Sequence, residues 1–287
     1  MNNYPRRIVT LIAGLSLACF VGLSGSPALA STTQGGPDTP SGPQQSASWT
    51  SAQLQVYANK LQHLATLTNA LGLPASHPYV PQGLPKPTVG TSTTLAPSIP
   101  TSYSIPIYND PEPNSYYGYQ CGPAAGHNAL GAYGVNIPIS TLTTEMGTTP
   151  AAGTARNNMQ GPINSHESQN TYVWQTLGTP AGNPNGIADL RNYTTLDIWA
   201  MDSPIYNFET YGFDPIQNAY RYPFSQYSGV DIQHYVTAYA YSSGGDYISI
   251  SDSAVKYSYT ASQEYNQYYK DIWAAIHNHP ALDAILW

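Results

Sequence analysis

A dense series of prolines limits where this chain can form regular structure. Prolines occupy ten positions from Pro74 to Pro113, which forbids a regular helix there and predicts an extended tether over residues 74–102. Nearer the N terminus, residues 31–48 consist mostly of Gly, Pro, Ser, Thr and Gln, so a flexible leader is predicted there. The folded domain is therefore expected to occupy residues 103–287 and to begin near Tyr103.

One amphipathic helix is predicted between the leader and the tether, over residues 49–73. It should start with Thr50 or Ser51 as its cap and stop at Gly72. A helix packed on its own domain is the simplest interpretation, and a pro-segment or a dimer-forming helix is the alternative. Its apolar residues recur at heptad spacing at Leu54, Tyr57, Leu61, Leu64 and Leu71.

The N terminus has the pattern of a secretory signal. Arg6 and Arg7 precede an apolar run over residues 8–23, and small residues ending at Ala30 complete a signal peptide of residues 1–30. Glycines and a proline interrupt this stretch, which argues against a spanning helix. The mature chain is predicted to be secreted, extracellular or cell-wall associated, and free of the membrane after cleavage; lipidation at Cys19 is a minor alternative.

Charge and cysteine usage narrow the possible functions. Loss of Arg6 and Arg7 with the signal takes the formal net charge from −7 to −9, so nucleic acid is not an expected partner. Cleavage also leaves Cys121 as the only cysteine, so no intramolecular disulfide can form. An unpaired thiol in an oxidising setting tends to persist only where it is buried or chemically needed, and an inert buried cysteine is the alternative to a reactive one.

Cys121 opens a predicted helix, with Pro123 in its first turn and Gly134 at its end. The unpaired N–H groups and the positive dipole at a helix start favour the thiolate, and the same N–H groups can hold an oxyanion. Such a nucleophile needs an imidazole base, which a carboxylate or an amide must orient.

A strand over residues 233–241 supplies the best candidate for this base. His234, Val236 and Ala238 share one face of it, a turn follows at residues 242–245, and residues 246–251 return as the partner strand. Asp252 should therefore lie at a strand end beside the strand that His234 opens. The other histidines are less suited: His127 lies nearly two turns along the nucleophile helix, His166 lies in a predicted loop, and His277 lies near the C terminus.

The remaining elements complete an α+β pattern, with helical pieces preceding a region of strands. The predictions are an edge strand over residues 105–108, helical pieces over 140–146 and 165–177, a strand over 203–210 and a last helix over about 262–278.

Two motifs resemble one known family. The hexapeptide at residues 120–125, Gln-Cys-Gly-Pro-Ala-Ala, is similar to the nucleophile motif of papain-like cysteine peptidases of the bacteriocin-leader-processing, double-glycine type and their secreted relatives. Residues 234–239 and 247–253 resemble the His strand and the strand-end Asp of that family, and the similarity covers about residues 103–257. The resemblance implies a papain-like fold, in which an N-terminal nucleophile helix packs on an antiparallel sheet that carries His and Asp.

The resemblance also implies roles for single residues. Cys121 corresponds to the nucleophile, His234 to the general base and acid, and Asp252 to the orienting group. The family places a Gln several residues before the Cys as an oxyanion donor; Ser115 stands there, which leaves Asn114 and Gln120 as candidates. The implied reaction hydrolyses peptide bonds of a peptide or protein, possibly a cell-wall peptide, without metal or organic cofactor.

Two other functions remain open at this stage. A cell-wall peptidoglycan amidase or endopeptidase can use the same Cys and His on a related fold. A noncatalytic binding or adhesion module could keep the fold, and the departure at Ser115 favours this interpretation.

Overall fold

The computed structural model describes residues 49–70, 100–113, 118–177, 186–210, 213–214, 219–220, 232–254, 263–278 and 284–287. The predicted signal peptide, the leader, nearly all of the tether and the candidate donor Asn114 lie outside the described residues. Within the described part of the chain, every helix is too short or too polar to cross a membrane.

The described chain alternates helices with mostly short strands. The helices are α1 (Ser51–Ala70), α2 (Cys121–Leu130), α3 (Ile139–Glu145), α4 (Gln160–His166), α5 (Gly186–Trp199) and α6 (Tyr269–Asn278). The strands are β1 (Tyr103–Ser104), β2 (Trp174–Thr176), β3 (Ile205–Thr210), β4 (Phe213–Asp214), β5 (Ala219–Tyr220), β6 (Ile232–Ser242), β7 (Tyr247–Ser251), β8 (Glu264–Tyr268) and β9 (Ala284–Leu286).

An antiparallel sheet organises the fold, which is α+β as expected. Its strands follow the order β2-β9-β3-β6-β7-β8, and β1 pairs separately with β6. The central strand β6 alternates as predicted, because Val236 and Ala238 belong to one apolar cluster while Tyr235 belongs to the other. The sheet is therefore covered on both faces, and β6 is shielded from solvent along most of its length.

Helix α2 packs against β6 through small side chains and one side-chain hydrogen bond. All ten of its residues are buried, and Thr237 Oγ1 on β6 donates to the carbonyl of Ala125 at 2.9 Å. Gly131, directly after the helix, approaches the backbone of Tyr108, where an added Cβ would come within 2.4 Å of the Tyr108 nitrogen. Gly134 adopts φ of 69° and ends this segment at the predicted position.

Three predicted elements differ from the structure. The edge strand lies at Tyr103–Ser104 instead of 105–108, where Pro106 has no N–H for a strand ladder. The helix predicted over 165–177 is replaced by α4, which ends at His166, and by β2, which pairs with β9. The last helix begins only at Tyr269, because Glu264–Tyr268 forms β8 along β7. In each case pairing with a strand distant in sequence overrides the local pattern.

Helix α1 is an integral part of the apolar core. Its start is closed by a capping box, in which Gln53 N–H donates to Thr50 Oγ1 and Thr50 N–H donates to Gln53 Oε1. Tyr57 and Leu61 are buried in the same cluster as Trp287. Lys60 forms an ion pair with Asp197 on α5 at 2.8 Å and lies over the Trp287 ring at 4.4 Å. The helix is thus anchored by both apolar and charged contacts.

We expect Leu61→Ala to destabilise the whole domain. The substitution leaves a cavity in a fully enclosed site, which costs about 2–4 kcal/mol in the free energy of unfolding. Gln55→Ala, on the exposed side of the same helix, is the matched control and should change it by about 0.5 kcal/mol or less. Urea unfolding measures both, and equal small effects would show that α1 does not contribute to the core.

Candidate active site

Cys121 is the first residue of α2 and is completely buried. The side chain of its predecessor Gln120 makes no capping hydrogen bond to the helix. The first N–H groups of a helix have no partner within the helix, and Pro123 in the first turn does not need one. The sulfur therefore lies at the positive end of a helix, where backbone N–H groups can stabilise an oxyanion.

His234 and Asp252 form a buried pair across two neighbouring strands. The register of β6 and β7 matches Thr237 with Ser251, so Asp252 follows the end of β7 on the diagonal from His234. His234 Nε2 donates to Asp252 Oδ1 at 2.8 Å, and the two residues are 1% and 0% exposed. The structure thus brings together the two residues that the sequence analysis paired.

Further hydrogen bonds fix the carboxylate of Asp252. Oδ1 also accepts from the backbone N–H of Ala254 at 2.9 Å, and Oδ2 accepts from the hydroxyl of Tyr265 on β8 at 2.7 Å. Sequence analysis missed Tyr265 because it placed this residue in a helix. Both carboxylate oxygens have hydrogen-bond partners, so the position of Asp252 is fixed. Its bond to Nε2 therefore holds the His234 ring in one orientation.

The thiol of Cys121 lies beside the imidazole ring of His234. A ring nitrogen of His234 and Cys121 Sγ lie within 4.8 Å of one another. Burial by itself lowers the pKa of His234, but the charge of Asp252, its hydrogen bond and the contact with Cys121 raise it well above 6.5. Because Nε2 is bonded to Asp252, Nδ1 is the nitrogen that can exchange a proton with the sulfur.

Glu112 is a third group at this point. One of its carboxyl oxygens lies within the same 4.8 Å of both Cys121 Sγ and the His234 nitrogen, and its side chain is buried. Sulfur, imidazole nitrogen and carboxylate oxygen are also atom types that bind zinc.

The predicted oxyanion donor Gln120 is engaged elsewhere. Its side-chain Nε2 donates to Thr143 Oγ1 on α3 at 2.9 Å, and only its backbone N–H is directed to the site, where it donates to Glu112 Oε2 at 2.9 Å. Gln120 therefore contributes its main chain to the arrangement and uses its amide to link α2 with α3.

Two of the other histidines have structural contacts, which agrees with their lower rank in the sequence analysis. His127 is held between the carbonyl of Ile137 at 2.7 Å and the carboxylate of Asp110 at 2.9 Å. His166 lies 2.7 Å from Glu145 in an exposed pair. Neither belongs to the cluster around Cys121.

Comparison with known protein families, with curated proteins and with solved structures found no match for this chain. The family resemblance given above consequently stays a prediction. Function has to be inferred from the geometry of the buried cluster.

We expect Gly122→Ala to disturb the start of α2. A Cβ at residue 122 would meet the side chain of Thr154 at 2.6 to 2.8 Å, and Thr154 is buried and bonded to Thr148. Overpacking of this kind costs about 1–3 kcal/mol. The matched control is Gly161→Ala in α4, where no atom lies within 4 Å of the added carbon and where alanine is the better helix former.

Thermal or urea unfolding of both variants measures the difference. The expected result is a clear loss of stability for Gly122→Ala and an unchanged or raised stability for Gly161→Ala. Equal stability of the two variants would contradict the close packing of α2 against Thr154.

Proposed function

We propose that this chain is a cysteine peptidase with a papain-like arrangement, exported by residues 1–30 and acting on peptide bonds. One observation carries the proposal: a buried thiol at a helix start lies beside an imidazole whose far nitrogen is bonded to a buried carboxylate. This is the nucleophile, base and orienter arrangement of covalent acyl transfer. The α+β fold and the two sequence motifs at residues 120–125 and 234–239 support it.

The proposed reaction begins with proton transfer from the Cys121 thiol to His234 Nδ1. The sulfur then attacks the carbonyl carbon, the S–C bond forms, and the electron pair of the C=O bond moves to oxygen. The intermediate collapses when His234 donates its proton to the leaving amine and the C–N bond breaks. A water molecule, deprotonated by His234, hydrolyses the thioester and restores the thiol.

Asp252 contributes through His234 and does not touch the substrate. It keeps the Nε2 proton in place, so that Nδ1 is always the nitrogen facing the sulfur. It also stabilises the imidazolium that forms when the thiol is ionised, which agrees with the raised pKa of His234.

We expect Cys121→Ala to abolish hydrolysis of a peptide mixture, read by mass spectrometry, while the protein stays folded. Asp252→Asn keeps the shape of the side chain but removes its charge and allows the wrong imidazole tautomer, so kcat should fall by about 100-fold or more. The matched control is Asp246→Asn on the hairpin after β6, where the carboxylate is 43% exposed and pairs with Arg191, and its kcat should be unchanged.

The same assay separates the other interpretations. Release of peptide fragments from purified peptidoglycan, with no cleavage of the peptide mixture, would identify a cell-wall enzyme. Absence of any Cys121-dependent product from either substrate would favour a noncatalytic binding module and would refute the proposed function.

A chelator tests whether the cluster works with a metal ion. We expect about 5–10 mM EDTA, a large excess over any bound ion, to leave hydrolysis unchanged. Thiol chemistry needs no Lewis acid. Loss of activity with EDTA and its recovery with Zn²⁺ would instead assign Glu112, Cys121 and His234 to a metal centre.

A further inference from the structure

Glu112 is a buried acid that the proposed reaction does not yet use. It is 1% exposed, and its place is set by backbone contacts on both sides. Its own N–H donates to the carbonyl of Ser253 at 3.0 Å, directly after Asp252. Because Glu112 stands between Pro111 and Pro113, it holds the only N–H group of these three residues, and the following proline keeps it extended.

The carboxyl group has few partners for a buried ion. Oε2 accepts from the backbone N–H of Gln120 at 2.9 Å, and Oε1 lies 3.4 Å from Ser253 Oγ, a long contact. Neither partner carries a charge, and none of the basic residues of the described chain forms an ion pair with Glu112. A carboxylate buried in this way is costly unless a proton neutralises it.

The charged groups that face Glu112 come from three other elements. Cys121 lies on α2, His234 on β6, and Asp252 follows β7, where Tyr265 of β8 reaches it through a neutral hydroxyl. A protonated His234 and the carboxylate of Asp252 compensate each other, which leaves no positive charge in this group to balance Glu112. An ionised Glu112 would add a second buried negative charge at the same place.

Burial is the main cause that raises the pKa of Glu112 to about 7. The charge of His234 and the hydrogen bond from Gln120 oppose the shift, whereas the charge of Asp252 adds to it. At acidic pH the group is therefore a neutral carboxyl, which has one O–H to donate and a carbonyl oxygen to accept the Gln120 N–H.

We propose that the neutral carboxyl of Glu112 donates its O–H to the substrate's carbonyl oxygen as that oxygen becomes negative, and that ionisation of Glu112 switches the enzyme off. This inference rests on the proposed peptidase function. The proton stays on Glu112 throughout: the S–C bond forms, the C=O electron pair moves to oxygen, and the carboxyl supplies a hydrogen bond next to the N–H of Cys121.

Distances in the site agree with this role. In the intermediate the oxygen lies roughly 2.6 to 2.8 Å from the sulfur, one covalent bond beyond the attacked carbon, and an O–H donor lies about 2.7 Å from that oxygen. Donor and sulfur can then be at most about 5.5 Å apart. The Glu112 oxygen and Cys121 Sγ lie within 4.8 Å, so one carbonyl oxygen can reach both the donor and the bond that is forming.

The test compares two reactions of the same sulfur as a function of pH, in the presence of EDTA. Peptide hydrolysis develops an oxyanion, whereas alkylation by iodoacetamide does not. In the wild-type chain kcat/KM should fall about tenfold per pH unit above a midpoint of about 7, where Glu112 ionises, while the alkylation rate of Cys121 should not fall.

Glu112→Gln imitates the neutral acid, since its amide accepts from Gln120 N–H and donates at every pH. This variant should keep its activity up to the pH where His234 loses its proton. Its kcat/KM should therefore not fall near pH 7 as that of the wild type does. Glu112→Ala removes the donor and should lower kcat about 100- to 1000-fold below pH 7, with KM little changed, and the difference from wild type should shrink as pH rises above 7.

Three outcomes keep this inference separate from the proposed function. A wild-type enzyme with no Cys121-dependent hydrolysis at any pH refutes the peptidase itself. Cys121-dependent hydrolysis with the same alkaline limb in wild type and Glu112→Gln refutes only the role of Glu112. If Glu112→Gln does not fold, the wild-type comparison alone decides, because parallel loss of hydrolysis and alkylation above pH 7 would overturn the inference.

Discussion

The bond between His234 and Asp252 is the interaction on which the rest of the site depends. Both partners are buried, so neither could be charged there without the other. The antiparallel register of β6 and β7 brings them together, and Tyr265 contributes the second hydrogen bond to the carboxylate from β8. Three adjacent strands are therefore needed to orient a single imidazole.

The nucleophile requires a different kind of constraint, because it lies on a helix. Helix α2 has no solvent-exposed face, and its small residues allow the backbone to approach its neighbours closely. Gly122 contacts Thr154, Gly126 lies near Met146, and the carbonyl of Ala125 accepts from Thr237 on β6. A helix enclosed in this way can shift only if its surroundings shift, which keeps the sulfur near the imidazole of His234.

Sequence patterns were sufficient where chemistry and periodicity are local. The alternation along β6, the turn after it and the return in β7 predicted that His234 and Asp252 would meet, and they lie 2.8 Å apart. The partners supplied by distant segments were not predictable in this way. Strands β2 and β9 have three residues each, which is too short to show a period, and Tyr265 lies in a segment that also fits a helix.

Glu112 was missed for a related reason. It lies in a proline-rich segment without periodicity, and hydrogen bonds to Ser253 and Gln120, which are distant or unpatterned in sequence, bring it to the site. One signal was present in the sequence: an acidic residue enclosed by prolines shortly before the nucleophile. That pattern predicts an extended backbone but does not indicate which residues the side chain contacts. The three-dimensional arrangement was necessary to place Glu112 in the site.

The position of α1 bears on whether this helix could act as a removable plug. Tyr57, Leu61 and Leu64 pack in the cluster that contains Trp287, whereas Cys121 belongs to the other cluster. A pro-segment that blocks a cleft must contact the catalytic side chains and must leave a stable domain behind when it is cut away. Removal of α1 would instead uncover the Trp287 ring and leave Asp197 buried without Lys60, at a cost that a domain of this size can hardly tolerate. The contacts of α1 therefore make it part of the apolar core of the described chain.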